Sequence, residues 1–150
     1  MIDCLILGDD TASALTNYIT GCAAITAVGA SSNIFISLYG NAGLIRTPWD
    51  TVIISLGVYD HPDARGTKKA LQDLRNSVNA KMVYWILPPE YNMDIRSAVH
   101  DVAMGRRDGL IDVLGWSRYG PTVYGYREIE KKIRESNDLY DSYKDKFKPK

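Results

Sequence analysis

Apolar residues recur along this chain in five short runs rich in β-branched side chains. The runs cover residues 2–7, 23–28, 51–56, 81–87 and 109–114. Between and after them, apolar residues return every three or four positions, which is typical of amphipathic helices. These helical segments cover residues 11–20, 31–39, 63–78, 94–104 and 121–134. The pattern therefore predicts five strands, each followed by a helix.

This alternation predicts the fold class. Consecutive strands joined through helices make right-handed crossovers and form a parallel sheet. The run TVIISLG at residues 51–57 contains few polar side chains, and parallel strands are apolar because both of their faces are covered. We predict an α/β domain with a five-stranded parallel sheet, followed at residues 135–150 by a charged extension of the last helix or a tail.

Composition narrows the classes of protein. A chain of 150 residues with 45% hydrophobic residues is long enough for one domain that buries roughly 70% of its unfolded surface. Eighteen basic and eighteen acidic residues leave no net charge, which argues against a nucleic-acid partner. No long apolar segment carries a basic flank, so we expect no membrane partner and a soluble chain, cytoplasmic where it is made.

Two local features of the composition lead to further expectations. Residues 1–60 contain five aspartates and a single basic residue, Arg46, so we expect a mildly acidic surface there. The two cysteines, Cys4 and Cys22, match no metal-ligand spacing, and a domain with an adequate core needs no covalent staple. We expect two buried thiols.

The residues that follow the strands are the candidates for a functional site, because ligands of this fold class bind beyond the carboxyl ends of the strands. These positions hold several glycines, the histidine His61 and four acidic residues, namely Asp9, Asp10, Asp60 and Glu90. Three aspartates can in principle surround a hard cation. The lysine and the aspartate spacing of known phosphate-transfer sites are missing, so we favour Asp10 as the cap of a helix that begins at Thr11. We expect no metal and no cofactor.

Five sequence blocks resemble those of small SGNH hydrolases, the GDSL-type esterases and lipases. In chain order they are DCLILGDDTASAL, AAITAVGASSNIFI, TVIISLGVYD, KMVYWILPP and GPTVYGYREIEKKI, and the resemblance covers about residues 2–134. The resemblance implies a flavodoxin-like three-layer α/β/α sandwich over residues 1–134. It also implies a family whose members usually cleave esters by nucleophilic catalysis.

The resemblance assigns family positions residue by residue. Asp10 stands where the family has its nucleophilic serine, Gly29 matches an oxyanion-hole glycine, and Tyr59 replaces an oxyanion-hole asparagine. Ser117 and Gly120 take the places of the catalytic aspartate and histidine. A carboxylate has no proton to lose and glycine carries no base, and loss of either partner costs a serine hydrolase on the order of a millionfold in turnover. We therefore expect no catalytic residues.

The predicted function is that of a non-catalytic SGNH-hydrolase-like domain serving as a binding or structural module. The expected partner is another protein or a second copy of the chain, contacted through residues 135–150. The chain also resembles short proteins encoded by bacteriophages, which makes a virion component one form of this role. The candidate binding residues are Asp10, Tyr59, Asp60, His61, Trp116, Arg118 and Tyr119.

An active enzyme is the alternative. In this interpretation the chain is an esterase-type hydrolase with a rearranged site, in which Asp10 or Asp60 acts together with His61.

Overall fold

The fold is built on a single parallel sheet. The computed structural model describes residues 3–61, 64–117 and 120–146, and it describes their side chains except those of residues 64 and 137–146. The five strands lie in the order β2-β1-β3-β4-β5 and all pairs are parallel. The chain leaves β1 toward one edge and then returns toward the other, which makes the carboxyl ends of β1 and β3 the switch point of the sheet. The strands are β1 Cys4–Gly8, β2 Ala23–Thr26, β3 Trp49–Ser55, β4 Ala80–Ile86 and β5 Gly109–Ile111.

Each predicted helix is present, although its ends differ from the prediction. The helices are α1 Asp10–Leu15, α2 Ser32–Tyr39, α3 Gly43–Arg46, α4 Ala64–Ser77, α5 Met93–Gly105 and α6 Val123–Lys146. The first is shorter than expected, and α3 was not predicted because four residues are too few to show a helical period. In the described part of the chain, no helix combines the length and the apolar character that a membrane span requires.

Alternating side chains of the strands build two apolar clusters, one on each face of the sheet, because successive strand residues point to opposite faces. In β1, Leu5 and Leu7 join the cluster under α2 to α5, whereas Cys4 and Ile6 join the cluster under α1 and α6. The result is a three-layer α/β/α sandwich. This confirms the predicted fold class.

The carboxyl ends of the three neighbouring strands β2, β1 and β3 are tied together at Gly8. This residue has a φ of 141°, and a Cβ at this position would overlap the carbonyl oxygen of Ser55. The next residue, Asp9, donates its N–H to that same oxygen at 3.0 Å, and Ala27 donates to the Gly8 carbonyl at 2.9 Å. The turn after β1 is therefore held directly against the ends of β2 and β3.

The two cysteines form a disulfide, so the expectation of two thiols was wrong. Cys4 and Cys22 lie 4.5 Å apart between Cα atoms. The parallel register pairs Leu5 with Ala23, which places the preceding residue of each strand opposite the other. Core size, the basis of the expectation, carries no information about this register. The bond closes a loop around α1, and such bonds typically contribute about 2–4 kcal/mol.

Candidate functional site

Asp9 and Asp10 are neighbours with different roles at the start of α1. Asp9 is the N-cap, because its carboxylate Oδ1 accepts the N–H of Thr11 at 3.1 Å. Asp10 is the first residue of the helix, and its side chain turns instead toward the loop after β2. The prediction that Asp10 caps the helix was therefore wrong by one residue.

The Asp10 carboxylate accepts hydrogen bonds from both residues that the family resemblance placed as oxyanion donors or their replacements. Its Oδ1 accepts the N–H of Gly29 at 2.5 Å, and its Oδ2 accepts the hydroxyl of Tyr59 at 2.5 Å. Gly29 has a φ of 76°, in the left-handed region that favours glycine. Three of the candidate positions thus lie together.

This arrangement has a direct chemical consequence. An oxyanion hole works by offering free donors to the charge that develops on a substrate oxygen, and each such donor is worth about 3 kcal/mol. Here the donors at Gly29 and Tyr59 already bind a carboxylate of the chain itself. A substrate oxygen gaining charge at this place would meet a negative group in addition to occupied donors.

Asp60 has the same kind of partners but is buried, with 8% of its surface exposed. Its Oδ1 accepts the N–H of Ser32 at 2.7 Å, and its Oδ2 accepts the hydroxyl of Thr67 at 2.6 Å. The side chain therefore fastens the start of α2 to α4. The sequence did not identify Ser32 and Thr67 as partners of Asp60, because Ser32 contacts Asp60 through its main-chain N–H and a lone threonine carries no motif.

The environment of Asp9 favours its neutral form. The residue is fully buried, and burial raises its pKa from 3.8 to about 7, helped by the charges of Asp10 and Asp60 and opposed by the hydrogen bond from Thr11. Its Oδ2 has no hydrogen-bond partner among the described residues. Because Asp9 and Asp60 are both buried, the acidic surface expected from the first 60 residues is weaker than predicted.

An open groove of about 370 Å³ lies beside the Asp10 contacts. Gly29, Ser31, Tyr59 and His61 contribute to its wall, and His61 is exposed. The groove thus brings His61 into the same region as the donors of Asp10.

The segment after β5 contains the positions assigned to the family's aspartate and histidine. Ser117 donates both its N–H, at 2.7 Å, and its hydroxyl, at 2.8 Å, to the carbonyl of Gly120. A Cβ at Gly120 would lie 3.2 Å from the hydroxyl of Tyr126 and 3.7 Å from Oγ1 of Thr11. Position 120 therefore faces the start of α1, where glycine supplies no functional group.

Of the remaining candidates, the structure describes Trp116, which lies away from the Asp10 contacts. Trp116 is partly buried against the apolar cluster under α1 and α6, and it pairs with Pro121 in an isolated bridge. Arg118 and Tyr119 lie outside the described residues. Within the described ranges, no group of three histidine, cysteine, aspartate or glutamate side chains is placed to hold a metal ion.

The strand order and the turn at Gly8, Asp9 and Asp10 define an SGNH-hydrolase-like α/β fold. Solved structures support this class. A member of the lipolytic protein G-D-S-L family from Veillonella parvula matches with a TM-score of 0.64 and 15% identity, over 90% of this chain and 97% of that chain.

The acetylxylan esterase Axe2 from Geobacillus stearothermophilus matches with a TM-score of 0.58 and 13% identity, over 88% of this chain and 92% of the esterase. A variant of that esterase matches with a TM-score of 0.57 and 14% identity, over 85% and 90% of the two chains. No protein-family model matches the sequence, and no curated protein matches it either. At these identities the likeness shows the fold, and it confirms the fold that the sequence blocks implied.

Proposed function

We propose that this chain is a non-catalytic SGNH-hydrolase-like domain that acts as a binding or structural module. One observation carries the proposal. The Asp10 carboxylate takes the place of a nucleophile and also occupies the hydrogen-bond donors of Gly29 and Tyr59. The site is thereby closed to the chemistry that its fold usually supports.

The segment after β5 supports the same proposal. A hydroxyl nucleophile requires a base within hydrogen-bond reach and a third group to orient that base. Position 120 carries a glycine, and the hydroxyl of Ser117 is engaged by the carbonyl of that glycine. Neither position supplies a proton acceptor to the start of α1.

A hydrolase with a rearranged site is the second candidate, because His61 and the donors of Asp10 border one groove. In that scheme Asp60 would orient His61. Both carboxylate oxygens of Asp60 instead hold Ser32 and Thr67, which weighs against this role. The activities named for the Veillonella and Geobacillus proteins therefore do not carry over to this chain in our proposal.

Ester hydrolysis separates the two candidates. We expect the chain to hydrolyse p-nitrophenyl acetate and a longer p-nitrophenyl ester no faster than exposed imidazoles do in water. The variants to compare are Asp10→Ala and His61→Ala, with His100→Ala as the matched control, because His100 is an exposed histidine of α5. Equal small losses in the two histidine variants indicate background hydrolysis. Turnover that disappears with Asp10→Ala or His61→Ala, and survives His100→Ala, would establish the enzyme instead.

As a module, the chain requires a partner, and the proposal names a protein or a second copy of the chain. A place in a larger assembly such as a virion belongs to the same proposal. Residues 135–150 were predicted as the contact. As far as Lys146, this segment continues α6 without a break.

A further inference from the structure

The disulfide joins the two strands that carry the contact between Asp10 and Gly29. Cys4 is the first residue of β1, and Cys22 directly precedes β2. The two strands run parallel from the bond, so both lead to the same edge of the sheet. Asp10 follows the end of β1, and Gly29 follows the end of β2. The hydrogen bond between them thus connects two arms of the chain that the disulfide connects at their other end.

The strand β2 has less support from the core than β1. All five residues of β1 are buried, whereas none of the four residues of β2 is. β2 is also an edge strand, and in the described sheet it pairs with β1 alone. Segments with little buried apolar surface open locally at a lower free energy than the core. The position of β2, and with it that of Gly29, therefore depends on the disulfide more than the position of β1 does.

The disulfide is accessible from one side. Cys22 is partly exposed and follows two exposed residues, Thr20 and Gly21, whereas Cys4 is buried. An external thiolate therefore reaches the bond at Sγ of Cys22, and exposed disulfides are more readily reduced than buried ones. Cys4 belongs to the apolar cluster under α1 and α6, so we expect it to stay in place when the bond opens.

We propose that this disulfide is a redox switch that determines whether Gly29 donates to Asp10. In the oxidised chain the bond fixes β2 beside β1, and the N–H of Gly29 binds the Asp10 carboxylate. After reduction β2 opens more often, and this donor becomes available to water or to a bound molecule. The switch goes beyond the proposed function, because it requires neither an ester substrate nor a particular partner.

The reductant of this switch is a dithiol, and the exchange balances in two steps. One thiolate of the dithiol attacks Sγ of Cys22, and Cys4 leaves as a thiolate that takes up a proton. The second thiolate of the reductant then attacks the reductant sulfur bound to Cys22, and Cys22 leaves and takes up a proton in the same way. The chain gains two electrons and two protons, and the dithiol becomes a cyclic disulfide.

NMR spectra of the full chain before and after treatment with dithiothreitol test the switch, with free thiols measured by Ellman's reagent. We expect both cysteines to be reduced in the folded chain. The amide proton of Gly29 should then move upfield and exchange with solvent at least about tenfold faster. Amides of β4 should keep their chemical shifts, because that strand lies inside the sheet. Reoxidation should restore the original Gly29 resonance.

A disulfide that only stabilises the fold would leave the Gly29 chemical shift unchanged after reduction, and this result overturns the switch. A bond that dithiothreitol reduces only in urea overturns it as well, and so does reduction that unfolds the chain and removes the dispersed resonances of β4. The control is the double variant Cys4→Ser, Cys22→Ser, whose Gly29 resonance should match that of the reduced chain and not respond to dithiothreitol. None of these results changes the Asp10-dependent turnover measured with esters, so the switch and the proposed function fail separately.

Discussion

Two carboxylates at the same edge of the sheet have matching partners and different consequences. Asp60 accepts a main-chain N–H from Ser32 and a hydroxyl from Thr67, and Asp10 accepts a main-chain N–H from Gly29 and a hydroxyl from Tyr59. Asp60 is buried, whereas Asp10 is partly exposed. The bonding pattern alone therefore does not determine what a carboxylate contributes.

Access to water is the physical difference between them. Donors that lose a buried acceptor stay without a partner, at a cost of about 1–3 kcal/mol each. Donors near the surface bind water instead. We infer that Asp60 stabilises the fold, and that Asp10 mainly determines which groups the site can bind.

The largest expected effect is that of removing the buried carboxylate. Asp60→Ala should lower the free energy of unfolding by about 2–4 kcal/mol, because the donors of Ser32 and Thr67 are left buried and unpaired. Asp10→Ala should cost no more than about 1 kcal/mol. Urea denaturation of both variants measures the two values, and Asp60→Asn, which retains a side-chain acceptor for Ser32, should fall between wild type and Asp60→Ala. Equal losses from Asp60→Ala and Asp10→Ala would remove the distinction.

The next effect concerns the buried carboxyl group of Asp9, whose pKa is raised by its burial and by the charges of Asp10 and Asp60. The pKa of Asp9 is about 7 in the folded chain against an ordinary value of 3.8, so between these values the folded state holds a proton that the unfolded state has lost. The contribution of this group to the free energy of unfolding therefore falls as the pH rises from about 4 through about 7. Above about pH 7 it levels off. Asp9→Asn stays neutral and still caps α1, so it should be more stable than wild type at pH 8 by about 1–2 kcal/mol.

The measurement is urea denaturation of wild type and Asp9→Asn at pH 5 and pH 8. The two proteins should be closest in stability at pH 5, with the gap opening toward pH 8. A gap that is constant across this range would show that Asp9 ionises with an ordinary pKa.

The smallest effect is that of a single hydroxyl. Tyr59→Phe removes the donor to Oδ2 of Asp10 from a partly exposed site, so we expect a loss of about 0.5–1 kcal/mol. In an Asp10→Ala background the same change should cost nothing, because the acceptor is already gone. A double-mutant cycle by urea denaturation measures this coupling, and additive losses would mean that the hydroxyl and the carboxylate act independently.

Much of the fold could be predicted from the sequence. The apolar runs such as TVIISLG and the helical periods between them have lengths that only an alternating α/β chain accommodates. Three site positions, Asp10, Gly29 and Tyr59, could be identified because the family resemblance assigned them, and each of them follows a strand of a sheet whose parallel strands end at one edge. The linear pattern therefore also predicts that these three residues lie close together.

The remaining features depend on geometry that no local pattern records. The disulfide between Cys4 and Cys22 follows from the register of β1 and β2. The cap belongs to Asp9 because the helix begins one residue earlier than the periodicity indicated. The side chain of Asp10 has two sets of donors within reach in principle, the start of its own helix and the loop after β2, and only the folded arrangement shows that it takes the second.

The amide proton of Gly29 reports directly on whether the Asp10 carboxylate occupies the donors of the site in solution. In ¹H–¹⁵N NMR spectra we expect a downfield amide proton for Gly29 in wild type, protected from exchange with solvent. In Asp10→Ala this resonance should move upfield and exchange quickly, since the N–H then faces water. A Gly29 amide proton that exchanges quickly in wild type and has the same chemical shift in Asp10→Ala would show that the Asp10 carboxylate does not occupy this donor.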